Sequence, residues 1–280
     1  MAHLLILHES RYTDDSMLSV TAAMRAAAAA LVVLLAGCGG ANGTVPQSER
    51  PPAALRANRS GTRTGVIVPL YVYPGKTWNA VIQAKNAHPG VPIAIIANVN
   101  NGPGTNVDST YVAFIEKAQM AGIDVLGYVY TQNGKRSATA VDADMAAWEA
   151  FYKPDGIFLD QMAPDDPSYY QAATAYAHGH SLWFVMGNPG VDAPGDSGPD
   201  VINFYEQAGY PRPAFLGAAR HQQYGKSRWS YMAGAVPLES KRITQSTKYV
   251  GYLYATDGRE PECYCRLPSY FDKLVALLDT

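Results

Sequence analysis

The sequence has little net charge and no cluster of basic residues. It contains 22 Lys and Arg against 24 Asp and Glu in 280 residues, and no run of Lys or Arg is longer than two. Proteins that bind nucleic acids concentrate basic residues in a patch or stripe, so we expect no nucleic-acid partner. The chain also lacks a Gly-x-Gly-x-x-Gly turn after its first predicted strand and any Walker loop, so nucleotide binding has no support.

Metal-binding patterns are also scarce. The chain has three Cys and six His, and no group of His, Cys and carboxylate residues has the spacing of metal ligands. We therefore expect no metal site and no other cofactor. No nucleophile-elbow motif supports Ser-His-Asp chemistry. Acid–base chemistry by carboxylates is the catalytic option that remains. The 19 Tyr also have an apolar face and a polar edge, which suit contacts with sugars.

The N-terminal region has the pattern of a secretory signal peptide that is too short for a comfortable membrane span. Residues 24–38 carry one Arg, a short apolar run and the ending Leu35-Ala36-Gly37-Cys38, which is typical of a bacterial lipobox. We predict a lipoprotein signal peptide over residues 17–38, with Cys38 lipidated, and a mis-called extension over residues 1–16. Residues 39–63 are predicted to be a flexible linker. The protein would then be lipid-anchored in the bacterial cell envelope, at the outer membrane or cell surface.

Apolar runs alternate with helical patterns through the rest of the chain, residues 64–280. The runs are residues 65–73, 91–97, 123–130, 156–160, 182–187, 201–206, 229–235 and 249–255. Eight strands alternating with helices predict an α/β fold, a single (β/α)8 TIM-type barrel. An open, doubly wound sheet is the competing architecture.

Polar side chains follow many of these runs, and in a barrel the loops after the strands converge on one face. Two runs end in a carboxylate, Asp160 and Glu206, which we expect to face each other across the mouth and to cut a glycosidic bond. The alternative is that each is a salt-bridged strand terminus. The predicted substrate-binding residues are Tyr71, Tyr73, Asn98, Asn100, Tyr128, Gln161, Asn188 and Tyr252. Turn formation for the Asn residues and core packing for the Tyr residues are the alternatives.

Five motifs, at residues 68–75, 98–104, 125–129, 156–160 and 188–190, resemble those of the spherulin-4 family in content and order. The resemblance covers most of residues 64–280. It implies a (β/α)8 glycoside hydrolase, since characterised fungal members cut α-1,4-linked N-acetylgalactosamine or galactosamine in secreted exopolysaccharide. It also implies that Asp160 and Glu206 hold the family's acidic positions. We assign Asp160 as the nucleophile or the group that steadies the transition state, and Glu206 as general acid and then base.

One position departs from the family, which typically has Asp-Glu where this chain has Asp160-Gln161. If Asp160 points into the site, Gln161 is a peripheral substitution and activity survives. If Gln161 occupies the place of the acid, the site only binds sugar. We predict an endo-acting, metal-independent hydrolase and a monomer. The alternatives are a catalytically impaired carbohydrate-binding lipoprotein and a hydrolase of another polysaccharide.

Overall fold

The computed structural model describes residues 63–259 and 264–279 of the 280-residue chain. The predicted extension, the signal peptide with Cys38 and the linker as far as residue 62 lie outside these residues, so they stay predictions. Among the described residues, no helix is both long and apolar enough to cross a membrane.

Eight parallel strands form a closed barrel in chain order. They are β1 (Gly65–Leu70), β2 (Ile93–Ala97), β3 (Asp124–Tyr130), β4 (Gly156–Asp160), β5 (Phe184–Asn188), β6 (Val201–Ala208), β7 (Trp229–Gly234) and β8 (Tyr252–Ala255). The barrel closes where Gly65 and Val66 of β1 pair with Tyr252 and Leu253 of β8. This closure confirms the predicted barrel and excludes an open sheet.

Helices follow every strand except β5, which leads to β6 through residues 189–200 without a helix. They are α1 (Lys76–Ala87), α2 (Ser109–Met120), α3 (Ala138–Tyr152), α4 (Pro167–Gly179), α5 (Pro213–Leu216), α6 (Ala219–Gln222), α7 (Ser240–Ser246) and α8 (Phe271–Ala276). After β6, residues 213–222 form two short helices, α5 and α6, instead of one continuous helix. The chain becomes extended at Ala218 (φ −60°, ψ 140°), directly after Gly217, and this interrupts the helix.

Close packing of α3 on β3 positions the first tyrosine of the candidate site. A Cβ atom on Gly127 would lie 2.4 Å from the ring of Trp148, so only glycine lets this helix approach the strand. The Trp148 indole donates a hydrogen bond to the carbonyl of the next residue, Tyr128, at 2.8 Å. The backbone from which the Tyr128 side chain projects is thereby fixed.

The carboxylate at the start of β4 has a structural role. Asp155 is buried, and its Oδ2 accepts hydrogen bonds from the backbone N–H of Val125 at 2.9 Å and from the Gln119 side chain at 3.0 Å. It ties α2 and β3 to β4 at the end of the strand opposite Asp160. Buried carboxylates need such partners, because an unpaired one is costly to desolvate.

Candidate active site

Asp160 is the last residue of β4, and its carboxylate accepts two hydrogen bonds from neighbouring strands. Tyr128 on β3 donates to Oδ2 at 2.7 Å, and the Asn188 amide at the end of β5 donates to Oδ1 at 2.8 Å. Both donors belong to strands that pair directly with β4. The carboxylate is therefore held over the mouth of the barrel from both sides.

Glu206 reaches the same place because β6 contains a β-bulge. Asn203 pairs with Ser230 of β7, whereas Glu206 pairs with Met232, so two residues of β6 oppose the single residue Tyr231. In a regular strand, residues three apart point to opposite faces of the sheet. The extra residue shifts this alternation, so Asn203 and Glu206 both reach Asn188.

The side chain of Asn188 joins the two acids. Its Nδ2 donates to Asp160 Oδ1 at 2.8 Å and to Glu206 Oε2 at 2.6 Å, so these two oxygens are separated by at most the sum of the two distances, 5.4 Å. Retaining glycosidases hold their carboxyl groups about 5–5.5 Å apart, and inverting ones about 6.5–9.5 Å. For this pair of oxygens the limit of 5.4 Å lies below the inverting range and is consistent with the retaining one.

A chain of buried polar groups fixes the orientation of this amide. Asn188 Oδ1 accepts from the Asn203 amide at 2.8 Å, and Asn203 Oδ1 accepts from the Ser230 hydroxyl at 3.1 Å. All three residues are buried. Because its oxygen is occupied by Asn203, the amide nitrogen of Asn188 has to face the two acids. The series Ser230, Asn203 and Asn188 thus runs across β7, β6 and β5.

Burial raises the pKa of Asp160 above its ordinary value. The hydrogen bonds from Tyr128, Asn188 and the backbone of Gln161 act in the opposite direction, because they favour the ionised carboxylate. Burial, followed by the charge of Asp160, raises the pKa of the Tyr128 phenol. Tyr128 therefore keeps its proton and remains a donor to Asp160.

A wall of tyrosines borders the acids. The ring of Tyr71 meets the rings of Tyr128 and Tyr264 edge to face, with centroid distances of 5.6 Å in both cases. The Tyr264 hydroxyl donates to Glu206 Oε1, and the Tyr264 carbonyl accepts from the N–H of Tyr71 at 3.3 Å. The segment after β8 thereby places the hydroxyl of Tyr264 in contact with Glu206.

Sequence reasoning missed Tyr264, Asn203 and Ser230. Tyr264 follows the last strand of the barrel, and this position was a signal that it could lie at the mouth. Asn203 and Ser230 occur inside apolar runs, and a buried polar residue needs partners, so both were candidates for the network.

Gln161 does not take the place of an acid. Its backbone is left-handed (φ 49°), so the chain turns away from the strand direction directly after Asp160. The side chain is exposed, and its Oε1 accepts a 3.4 Å hydrogen bond from Asn133 in the loop after β3. Asp160, and not Gln161, points to Asn188 and Tyr128.

The other predicted substrate-binding residues are spread more widely. Asn98 accepts from the N–H of Gly102 at 3.1 Å and thus stabilises its own turn. Tyr73 is 62% exposed and donates to Asp108 at 3.3 Å, and Asn100 is exposed at the rim. The prediction for Tyr252 needs correction. It opens β8 and packs against Phe184, the first residue of β5, so it lies in the bottom layer of the barrel.

Across residues 63–259 and 264–279, no three His, Cys, Asp or Glu side chains are grouped so that they could hold a metal ion. Two carboxylates close together, with amide and phenol donors around them, are groups that can exchange protons with a substrate or attack it.

Comparison with known proteins decides the family. Residues 65–278 match the model of spherulation-specific family 4. The chain belongs to this family. The spherulin-4 of Physarum polycephalum is 32% identical to this chain over a match of 231 residues. The match covers 74% of this chain and 68% of that protein.

Solved structures share the barrel of this family 4 chain. Aspergillus clavatus Sph3 in complex with GalNAc superimposes with a TM-score of 0.66 at 23% identity, covering 79% of this chain and 99% of that one. The YdjI aldolase of Escherichia coli K12 has a TM-score of 0.52 at 12% identity, covering 80% and 90%. The α-amylase of Geobacillus thermoleovorans complexed with acarbose also scores 0.52, at 11% identity, covering 78% of each chain. Because an aldolase and an amylase share this barrel, the activity has to be argued from the site.

Proposed function

We propose that this protein is a glycoside hydrolase that uses Asp160 and Glu206 as its two catalytic acids. The observation that carries the proposal is the bridging amide of Asn188, which keeps one oxygen of each acid within 5.4 Å of the other. Hydrolysis of an acetal needs one group to protonate the leaving oxygen and a second to attack or to stabilise the positive transition state. A pair of carboxyl groups at this separation meets both needs.

Both acids accept a hydrogen bond from Asn188 and one from a tyrosine, Tyr128 for Asp160 and Tyr264 for Glu206. We assign their roles from the family resemblance and from the donors around Asp160. Asp160 accepts hydrogen bonds from Tyr128, Asn188 and the backbone of Gln161, all of which favour the ionised form that a nucleophile needs. In the proposed reaction, Asp160 attacks the anomeric carbon while Glu206 gives a proton to the leaving oxygen. Glu206 then takes a proton from the water that hydrolyses the glycosyl ester, so the configuration at the anomeric carbon is retained.

We favour an amino-sugar exopolysaccharide as the substrate. The protein would cut internal bonds of this polymer, as an endo-acting α-1,4-galactosaminidase does. Sph3, whose structure contains GalNAc, shares the barrel at 23% identity. The mouth is lined by phenols and amides, which bind uncharged sugars through ring stacking and hydrogen bonds. We expect chelators to leave the activity unchanged.

A carbohydrate-binding lipoprotein without activity is the second candidate, because the family's usual Glu is Gln161 here. The side chain of Gln161 reaches Asn133 and leaves the Asp160–Glu206 pair intact, which favours an enzyme. A hydrolase of another polysaccharide would have the same pair and a different polymer.

The cellular location remains a proposal from the sequence. Lipidation of Cys38 would anchor a monomeric enzyme at the bacterial outer membrane or cell surface, with the polysaccharide and the membrane as its partners and no nucleic acid. Metabolic labelling with a palmitate analogue tests this proposal, since a Cys38→Ser variant should carry no label.

The proposed activity is tested by the release of reducing ends from a panel of amino-sugar polymers. We expect Asp160→Asn and Glu206→Gln each to lower the rate at least a hundredfold. Asp165→Asn, an exposed carboxylate in the loop after β4, and Glu116→Gln on α2 are the matched controls and should retain full activity. Wild-type rates in both catalytic variants would end the proposal. Retention would appear by proton NMR as a first product with the configuration of the substrate.

A further inference from the structure

A groove lies between the loops that follow β2 and β3. Residues 100–105 form one wall, Tyr130, Gln132 and Arg136 form the other, and Asp144 of α3 contributes to the lining. Its volume is about 480 Å³, within the range of about 300–1,000 Å³ that is typical of small-ligand sites. We call it the β2–β3 groove.

One wall of this groove begins on the strand that pairs with the strand of Asp160. Tyr130 is the register partner of Asp160 across the β3–β4 ladder, and the next residue, Thr131, donates its N–H to the Asp160 carbonyl at 3.0 Å. A polymer whose reacting sugar lies over the acids would reach the groove across the neighbouring ends of β4 and β3.

The groove offers polar groups and no net charge. The Arg136 guanidinium donates to Asp144 Oδ2 at 2.7 Å, and these are the only charged side chains in the described lining. Within the described part of the chain, the exposed amides of Asn100 and Gln132 make no side-chain hydrogen bond to another residue. An amide both donates and accepts, as a sugar hydroxyl does, so these groups suit an uncharged saccharide.

The walls of the groove are held in place before any ligand arrives. The N–H groups of Val99 and Asn100 both donate to the carbonyl of Gly102, at 3.1 and 3.2 Å. On the other wall, Asn133 donates its N–H to the Gln161 carbonyl at 2.8 Å, and the Arg136 guanidinium donates to the Tyr130 carbonyl at 2.6 Å. A preorganised site loses little conformational freedom when a ligand binds.

We propose that the β2–β3 groove is a second subsite, which binds an uncharged sugar unit of the polymer outside the unit held over the acids. The inference rests on the proposed glycosidase function and adds a second point of attachment to it. Asn100 acts here as a specificity-determining residue that contacts the substrate chain away from the reacting atoms.

The test measures two quantities on a series of N-acetylgalactosamine oligomers of two to six units. One is kcat/KM of the wild-type chain and of Asn100→Ala. The other is the Kd for the same oligomers, measured by calorimetry on both chains with Glu206→Gln added, so that binding is read without turnover. Gln83→Ala, an exposed amide on α1, is the control.

We expect kcat/KM and affinity to rise with chain length in the wild-type chain and in Gln83→Ala. Asn100→Ala should lower both for long oligomers by about three- to tenfold, the effect of one neutral hydrogen bond, and leave the shortest cleaved oligomer unaffected. Equal effects at all lengths, or none, would overturn the subsite. If no oligomer is cleaved and length-dependent binding still requires Asn100, the hydrolase proposal fails while the subsite stands.

Discussion

The hydrogen bond from Tyr128 to Asp160 should control the pH at which the proposed glycosidase activity is lost in acid. The bond is 2.7 Å long and favours the ionised carboxylate, whereas burial favours the protonated one. A hydrogen bond to a charged group contributes about 1.5–3 kcal/mol. One pKa unit corresponds to about 1.4 kcal/mol, so Tyr128→Phe should raise the pKa of Asp160 by about 1–2 units.

The sign of the effect follows from the role of nucleophile that we propose for Asp160. Its folded pKa is already raised, so activity that needs the carboxylate falls as the pH drops through that value. Without the Tyr128 hydroxyl, this fall should begin about 1–2 pH units higher. Above it, we expect kcat/KM to decrease less than tenfold, because the ionised nucleophile is still present.

The assay is a profile of kcat/KM between about pH 3 and 9, measured on an aryl glycoside of a GalNAc oligomer. An aryl leaving group needs little protonation, so the profile reports mainly on Asp160. Tyr176→Phe, which removes a phenol from α4, is the matched control. An unshifted acidic limb in a folded Tyr128→Phe chain would refute the reasoning, and so would an equal shift in the control.

Three further outcomes follow from the site and its support. Gln161→Glu should change kcat by less than about threefold, because side chains at this position point to the loop after β3; a large gain would mean that the natural site is impaired. Tyr264→Phe should remove a donor to Glu206 and lower kcat about 10–100-fold with little change in thermal stability. Gly127→Ala should destabilise the barrel by about 1–3 kcal/mol in denaturant unfolding, since the added methyl overlaps the Trp148 ring.

The barrel could be predicted from the sequence because its strands are buried on both faces. Runs such as residues 156–160 are continuously apolar, and they alternate with helical patterns at regular spacing. Asp160 could be predicted as a site residue for the same reason, because it is a carboxylate that ends such a run. The resemblance to a known family then related Asp160 to Glu206, which lies 46 positions further along the chain.

The position of a residue along the barrel axis was harder to predict than the strand to which it belongs. The run at residues 249–255 indicates a strand but not which of its residues reach the mouth. The strand begins at Tyr252, three residues before its end at Ala255. At about 3.3 Å per residue, Tyr252 lies roughly 10 Å below the upper end of β8. It therefore packs on Phe184 in the bottom layer and does not reach a substrate.

The bulge in β6 could not be predicted, because it depends on pairing with β7. From Asn203 to Glu206 the local sequence is compatible with a regular strand, which would turn one of the two away from the site. Only the pairing of Asn203 with Ser230 and of Glu206 with Met232 reveals the extra residue. The role of Tyr264 was not predicted for a similar reason, because its contact with Glu206 joins residues 58 positions apart.

The amide of Asn188 serves both acids at once, and this limits how they can move. If the Asp160 carboxylate advances toward a sugar carbon, the amide either follows it or loses contact, and Glu206 is affected through the same nitrogen. In the proposed reaction, attack by Asp160 and proton donation by Glu206 are therefore coupled through this amide. Substitutions as remote as Ser230 on β7, which acts through Asn203, should disturb both halves together rather than one alone.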